Sequence, residues 1–355
     1  MRKNLILLAI SVTLALALVE GALRWALPGE ARSEPPLLLM SHVQSRDELG
    51  AVRFEPHRDI RSVLIYGTHI EADTRFPSND LGLVDYRDYL PADKAGRRIA
   101  FVGDSYATGL EGTRPWIPAL RDRLGMTAYA LGMGGTGVLG FERMLRSVAR
   151  HLEFSEIVFV ALTDDFFRPL WRPLVRDTRV WLCPDGMEDH ACMTRWPPAI
   201  HLIKSDSAAA ELLADATKIR ASLARKPGVV GTLVQNVRLL QLARDVVSRL
   251  LRQSSRRAIL GESLAALGRI RQAYPSMRIR FVHVPDRHET GRGAYDADIA
   301  SMLAPAGIEY LPVLGKCPWT TRQFLPNDNH PNSDGYAALG RCVERLLALE
   351  TPPGR

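Results

Sequence analysis

Three polar residues, Ser105, Asp328 and His330, have the side-chain types that serine-based ester cleavage requires. Ser105 follows an apolar run in FVGDSYATG (101–109), which places its hydroxyl at the end of an expected strand. His330 can accept the proton of that hydroxyl, and Asp328, two residues earlier, can hold the imidazole in the productive tautomer. The three residues therefore predict a nucleophile, a general base and a group that orients the base.

The same chemistry needs hydrogen-bond donors for the negative charge that develops on the substrate oxygen. The N–H of Ser105 is one candidate. A second is the N–H of Gly135 in GMGGTG (132–137), because glycine lets the backbone approach a ligand closely. Phosphate binding is the alternative interpretation of a glycine-rich loop, but no Lys-Ser/Thr follows it as in a P-loop.

Two further polar stretches, TDDFFR (163–168) and PDRHE (285–289), also follow apolar runs. Together with the residue before Ser105 they supply three candidates for substrate contact, Asp104, Asp165 and His288. A metal site is the alternative for His283, Asp286, His288 and Glu289. Their position at a strand end favours contact with substrate instead, so we expect no metal.

Strands and helices alternate along the part of the chain that carries these residues. Strands are expected at 97–103, 127–132, 156–162, 278–285 and 307–313, and helices at 116–125, 138–152, 296–304 and 334–349. The third strand, EIVFVAL, is continuously apolar, as is typical of a strand buried on both faces. The pattern predicts a doubly wound parallel sheet in an α/β/α sandwich, which binds ligands at the carboxyl ends of its strands.

Two segments depart from this alternation. Residues 30–95 are rich in Pro, Asp, Arg and Gly, which predicts an irregular N-terminal extension. Residues 166–255, after the third strand, combine a Trp- and Pro-rich stretch with helical patterns, which predicts a helical insertion or cap. The domain that contains this insertion is expected over residues 96–350.

The first 29 residues predict a membrane anchor. Arg2 and Lys3 precede an apolar run over residues 5–19, so the N-terminus is expected in the cytoplasm and the rest of the chain outside it. A cleaved signal peptide is the alternative. The only Ala-x-Ala sequence, at 15–17, lies inside the apolar run rather than after it, which favours the uncleaved, single-pass anchor.

The four cysteines, Cys183, Cys192, Cys317 and Cys342, agree with export because an even number permits two disulfides. Cys183 and Cys192 flank a turn-rich segment, which predicts a local bridge between them. Zinc binding is the alternative, but the chain has no Cys-x-x-Cys pair.

The net charge of +7 could indicate a nucleic-acid partner. The basic residues are mainly scattered arginines, and neither a dense basic run nor an RNA-type aromatic motif is present. We therefore expect no nucleic-acid binding. An apolar content of 46% also excludes a disordered chain.

The order of the polar blocks resembles that of the SGNH, or GDSL-like, hydrolases. The resemblance covers roughly residues 97–349 and is carried by GDS (103–105), the glycine-rich block, the polar third block and the Asp/His pair before the last helix. It implies a flavodoxin-like fold and a serine esterase or acyl-transfer mechanism without a metal or other cofactor. It also implies an oxyanion hole formed by the N–H groups of Ser105 and Gly135 and by a third-block side chain, here Asp164.

Two positions depart from the pattern of this family. The third block usually offers an Asn amide as donor, whereas an ionised Asp164 can only accept hydrogen bonds. Asp164 must therefore be protonated or turned away, or catalysis is weakened. The usual Asp-x-x-His spacing would place Asn327 in the orienting position, so Asp328 is the first choice for that role and Asn327 the second.

The predicted anchor and the segment SNDLG (78–82) resemble a membrane-tethered bacterial branch of the family, some of whose members add or remove acyl groups on cell-envelope polysaccharides. This resemblance implies an acyl ester or acylated glycan as substrate. It also implies the inner membrane as location, with the catalytic domain facing the periplasm. A catalytically silent carbohydrate-binding or assembly protein on the same fold is the alternative, because of Asp164.

Overall fold

The computed structural model describes residues 19–20, 36–90, 96–112, 114–223 and 238–349. Residues 36–216 and 259–355 form one compact unit, and residues 1–35 and 217–258 form another. The predicted membrane anchor, residues 1–29, lies outside the described residues except for Val19 and Glu20. In the described ranges, no helix has both the length and the apolar character needed to cross a membrane.

The strands in chain order are β1 (Leu37–Met40), β2 (Ser45–Arg46), β3 (Val52–Arg53), β4 (Asp59–Tyr66), β5 (His69–Pro77), β6 (Arg98–Gly103), β7 (Thr127–Gly132), β8 (Glu156–Ala161), β9 (Trp171–Arg176), β10 (Arg179–Pro184), β11 (Ile200–Leu202), β12 (Arg278–His283) and β13 (Glu309–Pro312). The described α-helices are α1 (Ser105–Thr108), α2 (Trp116–Leu124), α3 (Val138–Val148), α4 (Asp189–Arg195), α5 (Ala209–Leu223), α6 (Arg238–Ala273), α7 (Arg287–Arg292), α8 (Ile299–Leu303) and α9 (Ser333–Leu346).

Five strands form the predicted parallel sheet, in the order β13-β12-β8-β6-β7. Numbered by their sequence among these five, the order is 2-1-3-4-5, which is the flavodoxin-like arrangement. All six residues of the central strand β8 are buried, in agreement with its continuous apolar run. The carboxyl ends of β6, β7, β8 and β12 therefore meet at one edge, where the polar blocks of the sequence follow them.

Helices cover both faces of this sheet. On one face Phe159 packs with Phe141 of α3 and with Ile270 of α6. On the other face Val160 packs with Trp116 of α2 and other apolar residues of α2 and α9. The alternation of strands and helices thus gives the expected α/β/α sandwich.

A second, six-stranded sheet corrects the prediction for two segments. Its order is β5-β4-β1-β11-β10-β9, so it joins strands from residues 30–95, predicted to be irregular, with strands from residues 166–255, predicted to be helical. β5 was hard to recognise because eight of its nine residues are exposed or only partly buried, which leaves no apolar run. β1 pairs with β11 across more than 150 residues, and such pairing leaves no local signal.

Both expected kinds of cysteine pairing are present. The predicted bridge joins Cys183 at the end of β10 to Cys192 in α4. A second bridge joins Cys317, after β13, to Cys342 in α9. The second bridge ties the last helix to the loop that follows the parallel sheet.

Candidate active site

Ser105 lies at the tight turn where β6 ends and α1 begins. The side chain of Asp104 accepts a hydrogen bond from the N–H of Tyr106 at 2.8 Å and so caps the start of the helix. Position 103 requires glycine, because a Cβ there would lie 2.1 Å from the carbonyl oxygen of Val160 in β8. The turn therefore brings Ser105 to the carboxyl edge of the sheet.

The loop before α9 carries His330 and Asp328. The N–H of Leu325 donates to the carbonyl of His330 at 2.9 Å, and the N–H of His330 donates to Asp328 Oδ1 at 2.7 Å. Asn332 caps α9 by accepting from the N–H of Gly335 at 2.9 Å. The loop is thus fixed by its own hydrogen bonds and by the start of the helix.

These two elements bring together the three residues predicted from the sequence. His330 Nε2 lies 2.9 Å from Ser105 Oγ, and His330 Nδ1 is hydrogen-bonded to Asp328 Oδ1. When Nδ1–H donates to the carboxylate, Nε2 of the neutral ring is free to accept the proton of Ser105. The arrangement therefore has the geometry of an activated serine.

The six-stranded sheet contacts this loop through the ends of β4 and β5. Tyr66 donates its hydroxyl proton to Asp328 Oδ2 at 2.8 Å, so each carboxylate oxygen has a donor. Glu71 accepts from the Asn327 N–H at 2.7 Å and from Asn327 Nδ2 at 2.8 Å. Asn327, the second choice for orienting His330, is therefore bound to Glu71 instead.

A second carboxylate, that of Glu111, lies on the Ser105 side of His330. Its Oε1 is 3.8 Å from His330 Nε2, and its Oε2 accepts from the hydroxyl of Tyr336 at 2.8 Å. Tyr336 is buried in α9, so the carboxylate is held by the same helix that follows the His330 loop. His330 thus has an acidic side chain close to each of its ring nitrogens.

These carboxylates set the protonation of His330. Burial lowers its pKa, but the charge of Glu111, the hydrogen bond and charge of Asp328 and the charge of Asp104 outweigh burial and raise the pKa to about 9. Burial raises the pKa of Asp328, but hydrogen bonds from His330 and Tyr66 and the charge of His330 lower it to about 2. Asp328 is therefore ionised at neutral pH, and the charged form of His330 is favoured.

The glycine-rich block lies beside Ser105 and supplies the second predicted donor. A Cβ added at Gly134 would lie 3.9 Å from the Cβ of Ser105, which shows how close this loop comes. Gly135 has a φ of +76°, and its carbonyl accepts from Trp171 Nε1 at 2.7 Å. Among the described residues, the N–H groups of Ser105 and Gly135 have no protein acceptor, so both are available for an oxyanion.

The third block places Asp164 on an arginine. Asp164 Oδ2 accepts from Arg168 Nε at 3.1 Å, and its side chain is 58% exposed. Arg168 Nη1 also donates to Asp104 Oδ2 at 2.8 Å and to the carbonyl of Thr136 at 3.2 Å. Of the alternatives predicted for Asp164, the structure favours a carboxylate turned away and neutralised by Arg168.

Asp165 and Asp104 do not have the substrate-contacting role predicted for them. Both side chains are fully buried, and both carboxylates lie 2.8 Å from Arg168 Nη1. Burial and the charge of Asp104 raise the pKa of Asp165 well above its usual range, although Arg168 opposes this rise. The exposed His288 lies on α7, and its contact with substrate stays a prediction.

The residues considered as metal ligands form a hydrogen-bonded network instead. His283 Nε2 bonds Thr163 Oγ1 at 2.9 Å, and His283 Nδ1 bonds the Tyr310 hydroxyl at 2.9 Å. Asp286 caps α7 by accepting from the N–H of Glu289 at 2.8 Å. Over the part of the chain that the structure describes, no group of three His, Cys, Asp or Glu side chains is arranged to hold a metal ion.

Sequence reasoning missed Tyr66, Glu71, Glu111 and Arg168. Tyr66 and Glu71 lie in the segment predicted to be irregular, and they reach the site only because β4 and β5 form a hairpin next to it. Arg168 closes the stretch TDDFFR, where its basic charge four residues after Asp164 was an available signal. No local pattern marks Glu111.

No protein-family model and no curated protein matches this chain. Among solved structures it is similar to a putative acylhydrolase from Bacteroides fragilis, with 13% identity and a TM-score of 0.31 over 73% of this chain and 90% of that one. A carbohydrate esterase family 2 enzyme with a carbohydrate-binding domain, from Corynascus thermopiles, shares 15% identity with a TM-score of 0.35, over 88% and 86% of the two chains. An acetyl xylan esterase from the rumen bacterium Butyrivibrio proteoclasticus shares 10%, with a TM-score of 0.32 over 90% and 89%. These TM-scores are too low to carry an argument, so the fold rests on the strand order and the site on its geometry.

Proposed function

We propose that this chain is an SGNH-type serine esterase or O-acyltransferase that acts on acyl esters of cell-envelope polysaccharide. The observation that carries the proposal is the continuous hydrogen-bonded chain from Ser105 Oγ through His330 to Asp328. The resemblance of the polar blocks to SGNH hydrolases supports the same reaction class.

In the first half-reaction, neutral His330 takes the proton of Ser105 through Nε2 while Ser105 Oγ attacks the acyl carbonyl. The N–H groups of Ser105 and Gly135 stabilise the oxyanion of the tetrahedral intermediate. When that intermediate collapses, the bond to the alkoxy oxygen breaks and His330 returns the proton to the leaving alcohol. The acyl group is then held on Ser105 as an ester.

In the second half-reaction, water or a sugar hydroxyl loses a proton to His330 and attacks the acyl-enzyme. The bond to Ser105 Oγ breaks, and Ser105 regains its proton from His330. Water gives a carboxylic acid, and a sugar hydroxyl gives a new ester. With Asp164 bound to Arg168, the oxyanion rests on two backbone donors. A missing third donor costs about 2.7–4 kcal/mol of transition-state stabilisation in a serine protease, so we expect a slow but active enzyme.

The proposed location is the bacterial inner membrane, with residues 1–29 as a single-pass anchor and the catalytic domain in the periplasm. The two disulfides support an oxidising compartment. Replacing residues 1–29 by a cleavable signal peptide is expected to move the chain from the membrane fraction to the soluble periplasmic fraction. Recovery of the full-length chain in the soluble fraction would contradict the anchor.

A fluorophosphonate probe tests the proposed nucleophile, because it labels only an activated serine. We expect labelling of the wild type and none of Ser105→Ala, and we expect His330→Ala to lose both labelling and turnover of a short acyl ester. Circular dichroism of each variant checks that it is folded. Labelling of Ser105→Ala, or turnover by either variant at the wild-type rate, would sink the proposal.

A catalytically silent carbohydrate-binding or assembly protein is the second candidate. It is favoured by Asp164, which occupies the place of an Asn donor in the SGNH pattern. Asp164→Asn separates the two candidates. A silent parent that gains hydrolysis in this variant supports the second candidate, and a parent that is already active and merely changes its rate excludes it.

A further inference from the structure

Glu111 is a fixed carboxylate that the proposed mechanism does not use. It lies three residues after α1, with Oε1 3.8 Å from His330 Nε2 and Oε2 bound by the Tyr336 hydroxyl at 2.8 Å. In the described part of the chain no Lys or Arg pairs with it, so its charge is not consumed by a structural ion pair. Its side chain is 15% exposed and that of His330 is 30% exposed, so a ligand can reach both.

The backbone around Glu111 is held firmly. Thr74 of β5 donates its hydroxyl proton to the carbonyl of Leu110 at 2.6 Å. The N–H of Gly112 donates to the carbonyl of Gly109 at 3.2 Å, which closes a turn around Glu111. An acceptor with these supports is preorganised, and ordering it costs little when a ligand binds.

The place of Glu111 beside His330 Nε2 decides which part of a substrate it meets. In both half-reactions Nε2 exchanges a proton with the alcohol oxygen of the ester, so that oxygen must lie within hydrogen-bond distance of Nε2. The alcohol moiety then lies next to Glu111 Oε1. A hydroxyl on the neighbouring carbon of the alcohol can donate to Oε1, because a carboxylate accepts hydrogen bonds.

We infer that Glu111 is a specificity-determining residue that selects alcohols with a second hydroxyl beside the esterified one, as in an uncharged carbohydrate. The inference rests on the proposed function. Charge supports the same substrate class, because Asp104, Asp328 and Glu111 all lie around His330 and disfavour an anionic alcohol moiety.

Two acetate esters that differ by one hydroxyl, ethyl acetate and 2-hydroxyethyl acetate, test this assignment. The ratio of their kcat/KM values is measured for wild type and for Glu111→Gln. In the variant, Tyr336 donates to the amide oxygen, and the NH₂ group that faces the alcohol cannot accept a hydrogen bond. We expect the preference for 2-hydroxyethyl acetate to fall about tenfold, the effect of one hydrogen bond to a charged acceptor.

The comparison of ratios removes two other effects. The esters differ in intrinsic reactivity, but that difference is the same for both proteins. Glu111→Gln also changes the basicity of His330, but both esters use the same base. Glu55→Gln, at an exposed glutamate paired with Arg58, is the matched control and should keep the wild-type ratio.

The outcomes distinguish this inference from the function on which it rests. Equal ratios in wild type and Glu111→Gln overturn the role of Glu111, while the esterase function stands. A fall in the ratio that Glu55→Gln shows as well also overturns it. If wild type hydrolyses neither ester, the proposed function fails and this inference fails with it.

Discussion

At the scale of single residues, the protonation of His330 controls the expected rate. A general base must be neutral, and the carboxylates of Glu111, Asp328 and Asp104 raise the pKa of His330 to about 9. The value of kcat/KM is therefore expected to rise with pH and to level off above about pH 9. A pH profile for a short acyl ester measures this limb directly.

The same profile tests the cause of the raised pKa. Glu111→Gln removes the nearest opposing charge, so the midpoint of the profile should move to lower pH. Glu55→Gln should leave the midpoint unchanged. A wild-type midpoint near 6.5, the ordinary value for histidine, would contradict the electrostatic account.

At the scale of elements, the six-stranded sheet supports the catalytic loop through Tyr66 at the end of β4. Tyr66→Phe removes the donor to Asp328 Oδ2 and leaves the ring in place. We expect kcat for a short acyl ester to fall about tenfold, because a hydrogen bond to a charged group is lost. KM should change little, since Tyr66 acts through Asp328 and His330 rather than on the substrate.

Tyr86→Phe is the control for this prediction, because it makes the same change at an exposed tyrosine. The free energy of unfolding of both variants, measured in urea, separates a positioning effect from general destabilisation. An unchanged kcat in Tyr66→Phe would show that the loop is fixed well enough by its own hydrogen bonds.

At the scale of the whole molecule, the Cys317–Cys342 bridge ties α9, and with it the His330 loop, to the chain after β13. The bridge spans 25 residues in sequence, for which the loss of chain entropy in the unfolded state corresponds to about 3.5 kcal/mol. The double variant Cys317→Ala/Cys342→Ala is therefore expected to unfold at lower urea concentration by roughly that free energy. An unchanged midpoint would show that packing alone holds α9.

The sequence by itself determined the parallel sheet, the polar edge and the residues Ser105, Gly135, Asp328 and His330. It could do so because apolar runs mark buried strands and because parallel strands bring their carboxyl ends to one edge. Aspartate and histidine two residues apart, before a capped helix, are likewise a local pattern.

Only the tertiary structure decided how the site is completed. Tyr66 and Asp328 are 262 residues apart in sequence, and Glu111 and His330 are 219 residues apart. Arg168 neutralises Asp164 and Asp104 at once, which depends on how the ends of β6 and β8 meet. Contacts of this kind arise from the packing of distant segments, and a side chain's local sequence carries no periodicity that reports them.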